Sequence, residues 1–204
     1  QPGCYRDVKD TTCTALFRIV RDQQSERLFD GADGDVYFMA WTTTPWTLPS
    51  NTALAVGPAI RYVRVRSFNP YTGAPLTVFL AKDLCPAYFP KKNEDLPMDG
   101  YEAGSKNVPF RVEGEYVGKD LAGIRYEPLL PWIAPDGDAF RVITGDYVTT
   151  EDGTGIVHIA PTFGADDDRV AKQSGIPPLV VVDRAGKRQP MVDRTGKFFR
   201  LEDL

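Results

Sequence analysis

Seven short segments rich in β-branched and aromatic residues constrain the fold of this chain most strongly. Each is five to seven residues long and is bounded by Gly, Pro, Asn or Asp, which is the pattern of strands joined by turns. They are Thr14–Val20, Asp35–Trp41, Tyr62–Arg66, Leu76–Ala81, Arg111–Val117, Phe140–Thr144 and Gly155–Ala160. Because 18 Gly and 17 Pro supply the turns, the sequence predicts a mainly β domain, and we favour a closed barrel over a sandwich.

Two further segments have a helical pattern. Pro90 ends the first, Lys82–Phe89, whereas the second, Asp166–Gly175, has acidic residues at its start and a C-capping Gly175. A chain of 204 residues has the length of one domain. We therefore predict a single domain over residues 1–204, mainly β with short helices (α+β), whose helices lie around a barrel-like sheet. Neither end has a terminal signature, so we expect a piece of a longer protein.

Charge and cysteine content exclude several classes of protein. With 24 Lys+Arg against 28 Asp+Glu, the chain cannot hold a nucleic acid by bulk positive charge, so any such contact must be local. Three widely spaced Cys and one His do not form a four-ligand zinc site. No apolar stretch is long enough to span a membrane. The unpaired thiols lead us to expect a cytoplasmic location.

The single histidine limits the catalytic chemistry. A Ser–His–Asp or Cys–His hydrolase needs a histidine beside its nucleophile, but His158 lies within the apolar run Ile156–Ile159, and the chain has no Gly-x-Ser-x-Gly motif. The glycine-rich patterns that bind nucleoside triphosphates and dinucleotides are also absent. Hydrolytic, nucleotide-cleaving and hydride-transfer chemistry therefore lack their usual sequence signatures here.

The first unusual segment, Trp41–Asn51, contains four Thr, two Trp and two Pro and must leave the sheet at Pro45. Its prolines fix the backbone, while hydroxyl groups and backbone amides stay free to bond a polar ligand. A threonine-rich strand end with buried tryptophans is the plainer interpretation of the same residues. Composition alone leaves both open.

The second unusual segment, Glu151–Asp168, places a glycine-flanked turn before a buried strand and three carboxylates at a helix start. Aspartates there usually cap the helix or interact with its dipole, and we expect this of at least two of Asp166, Asp167 and Asp168. A carboxylate that instead faces a pocket would bind an ammonium group. Consecutive side chains splay apart and cannot all ligate one ion, so we expect no metal site.

These two segments resemble the signature peptides of the editing domain, connective peptide 1, of isoleucyl-tRNA synthetases, which are class I synthetases. The resemblance lies in the peptides Trp41-Thr-Thr-Thr-Pro-Trp-Thr-Leu-Pro-Ser-Asn51 and Gly153-Thr-Gly-Ile-Val-His-Ile-Ala-Pro-Thr-Phe-Gly-Ala-Asp-Asp167. Weaker likeness at Tyr5–Asp10 and Gly118–Pro128 extends the resemblance over nearly the whole chain. Thr11–Cys13 and Asp136–Asp138 fit it less clearly. The family's signatures for amino-acid activation are absent, so the chain by itself cannot charge tRNA.

The resemblance implies post-transfer proofreading, the hydrolysis of mischarged Val-tRNA(Ile) to valine and tRNA(Ile), with valyl-adenylate as a companion substrate. The implied partners are the tRNA(Ile) 3′ end carrying valine and the rest of a synthetase chain, and no membrane. No cofactor is implied in this domain, although the parent enzymes use ATP and Mg²⁺. A ribose hydroxyl of the terminal adenosine can assist the attacking water in this family, so the protein mainly orients the substrate and excludes competitors.

Individual roles follow from the same resemblance. Asp167 is expected to anchor the substrate's α-ammonium group. Thr42, Thr43 and Thr44 are expected to position the ester, the adenosine and the attacking water. Four further residues are expected in the substrate-binding pocket: His158, Trp46, Thr47 and Asn51. His158 is the residue that would reject isoleucine, although a structural histidine inside a barrel explains its position too. The sequence shows no orienting partner for this histidine and no obvious general base.

Two other functions stay open. One is a non-hydrolytic module that binds the tRNA 3′ end through the stretch Asp183–Arg200, which carries six Lys or Arg and two Asp and contains the repeat Val182-Asp-Arg-Ala-Gly-Lys187 and Val192-Asp-Arg-Thr-Gly-Lys197. Two ordinary glycine-containing turns explain this repeat equally well. The other is an editing domain of valyl or leucyl type. Those enzymes usually carry an acidic residue where this chain has Trp46, and leucyl enzymes usually lack a histidine at the position of His158.

Overall fold

The computed structural model describes residues 11–193, 195–200, 202 and 204, so the likeness at Tyr5–Asp10 lies outside the described residues. Within them the chain forms ten strands and two α-helices. The strands are β1 (Cys13–Arg18), β2 (Val36–Thr42), β3 (Ala53–Val56), β4 (Arg61–Phe68), β5 (Pro75–Ala81), β6 (Arg111–Val117), β7 (Arg141–Thr144), β8 (Ile156–Ile159), β9 (Val181–Val182) and β10 (Arg188–Gln189). The α-helices are α1 (Cys85–Tyr88) and α2 (Ala165–Gln173); short 3-10 helices span Glu26–Leu28, Pro45–Ser50, Lys82–Leu84, Lys91–Asn93 and Gly118–Leu121.

Eight of the strands form one mixed sheet, in the order β6-β4-β5-β2-β8-β3-β7, with β1 paired to β2. Strand β2 is the branching point of the sheet. It pairs with β1 along one edge, while its other edge pairs first with β5 at Val36–Phe38 and then with β8 at Trp41. All seven predicted strands are present within a few residues of their predicted bounds.

Residues 123–127 link the two sides of the curled sheet. The amide of Glu127 donates to the carbonyl of Arg18 in β1 at 2.8 Å, and the amide of Val142 in β7 donates to the carbonyl of Ile124 at 2.9 Å. Only isolated bridges form here, Ile19 with Tyr126 and Arg125 with Arg141. The barrel-like, mainly β fold is confirmed with one correction, since a half-barrel bridged by single contacts replaces the predicted continuous barrel.

Strand β3, which the sequence analysis missed, lies near the centre of the fold. It pairs antiparallel with β8 and parallel with β7, and all its side chains are fully buried. Leu54 and Val56 face the interior of the curl, whereas Ala53 and Ala55 face the layer under α2. Four residues that are apolar on both faces show no alternation, and two of them are alanines, so neither periodicity nor β-propensity identifies this strand.

Helix α2 packs on the outer face of β3, β7 and β8 through Ala171, with Ile176 beyond its end. Gly175 adopts a positive φ of 68°, and the amides of Gly175 and Ile176 donate to the carbonyls of Lys172 and Ala171. This Schellman ending confirms the predicted C-cap. The other predicted helix, Lys82–Phe89, is divided into a 3-10 helix and α1, because Pro86 has no amide hydrogen to donate to Lys82.

The repeated C-terminal motif forms two turns, which confirms the plainer interpretation. Asp183 accepts hydrogen bonds from the amides of Ala185 and Lys187, and Asp193 accepts them in the same way from Thr195 and Lys197. The first turn connects β9 to β10. No helix among the described residues is long and apolar enough to cross a membrane.

Candidate functional site

A cavity of about 620 Å³ lies beside the ends of β2 and β8. These strands run parallel where Trp41 pairs with Val157. The peptides that follow them therefore leave the same edge of the sheet, and the two unusual segments of the sequence come to face each other. One wall includes Thr42, Thr43, Thr44, Trp46 and Thr47. The other includes residues 152–157, Ala160, Phe163, Gly164 and Asp167, and His158 lies between the two.

All but one of the predicted site residues line this cavity. The seven are Thr42, Thr43, Thr44, Trp46, Thr47, His158 and Asp167. Asn51 does not line it; this residue is 3% exposed and contacts His158 from beneath. The structure therefore does not place Asn51 in the substrate-binding pocket as predicted. Asn51 lies in the layer below the cavity and supports His158.

The threonine wall is held in shape by bonds among its own hydroxyl groups. Pro45 begins a 3-10 helix directly after Thr44, which turns the chain away from β2. The Thr42 Oγ1 accepts from the amide of Thr44 at 3.0 Å, and the Thr44 Oγ1 lies 3.2 Å from that of Thr42 and 3.3 Å from that of Thr47. Thr42 and Thr47 are buried whereas Thr43 is exposed, so the wall presents neutral polar groups with fixed positions.

His158 occupies the floor between the two walls and is 8% exposed. Its Nε2 lies 2.9 Å from the Thr47 Oγ1, and its Nδ1 lies 2.8 Å from the Asn51 Nδ2. The expectation that this histidine has no orienting partner is therefore wrong, since both ring nitrogens are engaged. Burial lowers the pKa of His158 to about 4, against a smaller opposing effect of its hydrogen bond with Thr47, so the ring is neutral at physiological pH.

Two carboxylates line the cavity, the exposed Asp152 and the partly buried Asp167, and Asp167 provides the negative charge of the interior. Its Oδ2 accepts a hydrogen bond from the amide of Ala160 at 2.9 Å. Among the described residues, no Lys or Arg pairs with this carboxylate. Burial raises the pKa of Asp167, the hydrogen bond from Ala160 opposes this rise, and the charge of Asp166 adds to it. A partly buried carboxylate without a cationic partner is suited to receive a cation from a ligand.

The neighbouring aspartates behave differently. Asp166 pairs with Arg169 at 2.8 Å and Asp168 pairs with Lys172 at 2.6 Å, both on the outer surface of α2. Consecutive helical positions point in different directions, so only Asp167 faces the cavity. Within the described residues no group of three or more His, Cys, Asp or Glu converges as metal ligands would.

The turn before β8 requires its glycines. Gly153 and Gly155 both have a positive φ, 71° and 75°. A Cβ atom at Gly155 would lie 2.5 Å from the Cβ of Ala81, and one at Gly153 would lie 2.8 Å from the indole ring of Trp41. Backbone conformation and close packing together explain the Gly-Thr-Gly sequence at this edge of the cavity.

Sequence reasoning missed several residues of the cavity, chiefly Tyr147, Thr149 and Phe163. Tyr147 follows β7, and its ring covers Gly145 so closely that a Cβ there would lie 2.1 Å from the Cε1 of the tyrosine. Burial and the charge of Asp167 raise the pKa of Tyr147 to about 12. No motif surrounds Tyr147 or Thr149, so only the fold identifies them, whereas Phe163 lies within the second signature peptide but was given no role.

Comparison with solved structures first defines the class of protein. The fold resembles the crystal structure titled GlLeuRS-CP1, with a TM-score of 0.58 at 18% identity over 80% of this chain and 59% of that one. It also resembles the editing domain of the P. knowlesi cytosolic leucyl-tRNA synthetase, with a TM-score of 0.56 at 13% identity over 82% of this chain and 65% of that one. The chain thus has the fold of a synthetase editing domain.

Comparison with curated proteins identifies the family more narrowly. The chain is 60% identical to the isoleucine–tRNA ligase of Bacteroides fragilis over 204 residues and 58% identical to that of Porphyromonas gingivalis over 206 residues. Each alignment covers the whole of this chain but only 18% of the ligase. No family model matches the chain. By these relatives and this fold, the chain belongs to the editing domains of the isoleucyl-tRNA synthetase family.

Proposed function

We propose that this chain is a proofreading hydrolase that removes valine from mischarged Val-tRNA(Ile). Water hydrolyses the ester bond, so the products are free valine and tRNA(Ile) with its terminal ribose hydroxyl restored. The observation that carries the proposal is the Asp167 carboxylate, which has no Lys or Arg partner among the described residues, across the cavity from a cluster of hydroxyl groups. An aminoacyl ester presents a free ammonium group and a polar ester to such a site. Valyl-adenylate carries the same ammonium group and is a second substrate of this proposal.

Asp167 would bind the ammonium group and thereby place the ester carbon beside the threonine wall. Thr42, Thr43 and Thr44 would hold the ester and the terminal adenosine through hydroxyl and amide groups. Among the described residues that line the cavity, no buried side chain is free to act as a general base, because Asp167 is the counter-ion and both nitrogens of His158 are engaged. Asp152 is exposed and accepts from the amide of Gly153. The terminal ribose hydroxyl would assist the water, so the protein contributes mainly orientation.

Selectivity would depend on the size of the space next to Trp46 and His158. A binding pocket for isoleucine gains only about 1–3 kcal/mol over valine, a limit already known for isoleucyl enzymes, so a second site that fits only the smaller side chain is needed. His158 is buried and held at both nitrogens, so it would act as a rigid wall against the extra methylene of isoleucine.

The partners of this proposal are the 3′ end of tRNA(Ile) and the rest of a synthetase chain. The proposed hydrolysis needs no ATP or Mg²⁺, which the parent enzyme would use for amino-acid activation. We propose that residues 1–204 act together as one editing module. Since the described surface is not strongly basic overall, other domains would supply most of the affinity for tRNA.

One observation favours the alternative of a non-hydrolytic module that binds the tRNA 3′ end. The turn Asp193–Lys197 packs against the cavity wall, because a Cβ at Gly196 would lie 3.3 Å from the Cβ of Trp46. The next residue, Lys197, is exposed, as are Arg184 and Lys187 in the first turn. These cations would contact phosphates of a bound 3′ strand, which is what a binding module needs without any hydrolysis.

The test is single-turnover deacylation of Val-tRNA(Ile) and Ile-tRNA(Ile) at high concentration of the chain, with Asp167→Ala in parallel. We expect faster loss of valine than of isoleucine, and hydrolysis by the variant that is about 100- to 1,000-fold slower than by the wild type. Hydrolysis at the wild-type rate by Asp167→Ala would contradict the assigned role. Binding of a non-hydrolysable valyl-adenosine analogue without any ester hydrolysis would favour the binding module, and preference for threonyl or leucyl esters would indicate a valyl or leucyl type.

A further inference from the structure

A chain of buried hydrogen bonds runs from Tyr126 to the threonine wall. The Tyr126 hydroxyl donates to the Asn51 Oδ1 at 2.5 Å, the Asn51 Nδ2 contacts the His158 Nδ1, and the His158 Nε2 contacts the Thr47 Oγ1. Tyr126 and Asn51 are 2% and 3% exposed. Neither lines the cavity, so their effect on a substrate must pass through His158.

The orientation of the Asn51 amide is fixed by one unambiguous partner. Its Nδ2 lies 2.8 Å from the backbone carbonyl of Ala53, which can only accept a hydrogen bond. The amide nitrogen must therefore face Ala53 and His158, and the amide oxygen must face the Tyr126 hydroxyl. The Tyr126 bond stabilises this orientation, because the reversed amide would place its NH₂ group against the tyrosine hydroxyl and its oxygen against a carbonyl.

This orientation determines the tautomer of His158. The Asn51 Nδ2 donates, so the His158 Nδ1 must accept and carries no hydrogen. A neutral ring then has its hydrogen on Nε2 and donates to the Thr47 Oγ1 at 2.9 Å. The Thr47 hydroxyl in turn donates to the carbonyl of Thr44 at 2.8 Å, so its lone pairs remain for His158 and the Thr44 hydroxyl.

We propose that Tyr126 and Asn51 are positioning residues that hold His158 in the Nε2–H tautomer and thereby fix the direction of the hydrogen bonds at Thr47 and Thr44. With Nε2 protonated and Nδ1 occupied, His158 cannot accept a proton from water in the cavity. It serves as an oriented donor to the Thr47 Oγ1. The Thr47 hydroxyl then donates to the Thr44 carbonyl and accepts from the Thr44 hydroxyl. The catalytic consequence rests on the proposed hydrolase function, whereas the tautomer does not.

Nitrogen-15 NMR tests the tautomer without any substrate. His158 is the single histidine of the 204 residues, so a chain labelled with [15N]histidine and purified without a polyhistidine tag gives one imidazole spin system. We expect two-bond 1H–15N spectra at pH 7 to show an unprotonated Nδ1 and a protonated Nε2. A protonated Nδ1, alone or with Nε2, would overturn the proposal.

Two variants test the assigned residues. Asn51→Asp replaces the donor by an acceptor, so we expect the hydrogen to move to Nδ1; an unchanged spectrum would refute the role of Asn51. Tyr126→Phe removes the hydroxyl but keeps the aromatic ring, whose centroid lies 5.2 Å from that of the Phe17 ring. We expect it to produce a detectable Nδ1–H population and to lower valyl-ester hydrolysis about tenfold. A wild-type NMR spectrum in this variant would overturn the role of Tyr126.

Tyr62→Phe is the matched control. Tyr62 is also fully buried, but its hydroxyl bonds the backbone of Gly57 and Gly155 and not the His158 network. We expect this variant to lose a similar hydrogen bond while leaving the His158 spectrum and the ester hydrolysis unchanged. A shift of the histidine signals in both tyrosine variants would show a general packing effect and would refute the proposal. If the spectra follow the proposal but no variant or wild-type chain hydrolyses the ester, only the hydrolase function fails.

Discussion

The two walls of the cavity use polar groups in opposite ways. On the threonine wall, hydroxyl groups are bonded to one another and to the neutral His158 of the floor, so no charge is present and the positions are fixed before any ligand arrives. On the opposite wall, Asp167 keeps a charge with only one backbone hydrogen bond and no cationic partner among the described residues. In the proposed function, one wall would orient an ester while the other would supply the attraction for its ammonium group.

Removing the ammonium group from the substrate tests this difference between the two walls most directly. We expect Asp167→Ala to lower hydrolysis of a valyl ester about 100- to 1,000-fold, because a positioned charge pair contributes about 3–4 kcal/mol in such a site. For the matching ester of 2-hydroxyisovaleric acid, which has a hydroxyl in place of the ammonium, we expect a loss of less than about tenfold.

Asp166→Ala and Asp168→Ala are the controls for this experiment. Their carboxylates form exposed pairs with Arg169 and Lys172, which contribute little to stability and nothing to the cavity. We expect both variants to hydrolyse the valyl ester within about twofold of the wild type. Equal losses on both esters in Asp167→Ala would show that this carboxylate does not bind the ammonium group.

The neutral state of His158 in the floor of the cavity predicts that the free energy of unfolding depends on pH. The pKa of His158 is about 4 in the folded chain and about 6.5 in an unfolded one. Between these values the unfolded chain binds the extra proton, so the free energy of unfolding falls as the pH decreases from 6.5 to 4, by about 3 kcal/mol. Urea unfolding over this range should show a steeper pH dependence for the wild type than for His158→Gln; parallel curves would exclude a neutral buried histidine.

The hydroxyl cluster should affect catalysis without any dependence on charge. Thr44→Val keeps the shape of the side chain but removes the hydroxyl between Thr42 and Thr47. We expect about a tenfold lower rate, or about 1.4 kcal/mol, on the valyl and hydroxyacyl esters alike. Thr149→Val changes a cavity threonine outside the cluster and should leave both rates unchanged. A loss confined to the valyl ester would contradict the division of roles between the walls.

The smallest effect expected is a gain in stability on losing the charge of Asp167. Because its folded pKa is raised, the free energy of unfolding falls as the pH increases from the unfolded pKa through the folded one. Asp167→Asn removes this cost and can still accept from the amide of Ala160. We expect a Tm about 2 °C higher at pH 8, or about 0.5–1 kcal/mol for a chain of this size, and little gain at pH 3. A lower Tm at pH 8 would show that the charge stabilises the fold.

Most strands could be predicted because their chemistry is local. Alternating β-branched and aromatic residues between turn residues identify β1, β2 and β4 to β8 without knowledge of their partners. Strand β3 has no such pattern, since its side chains are buried on both faces by β7, β8 and α2. Likewise the isolated bridges of residues 123–127, which join β1 to β7, depend on pairing that no local signal encodes.

Most residues of the candidate site could be identified from the sequence, because its two unusual segments carry threonines, glycines and aspartates that a plain strand end does not need. The tertiary structure shows why Asp167, which the resemblance singled out, has no Lys or Arg partner among the described residues: Asp166, Asp167 and Asp168 are chemically identical and differ only in the direction that α2 gives them. It also placed Asn51 beneath His158 and added Tyr126 and Tyr147, because contacts between residues distant in sequence arise from the parallel pairing of β2 with β8 and from the curl of the sheet.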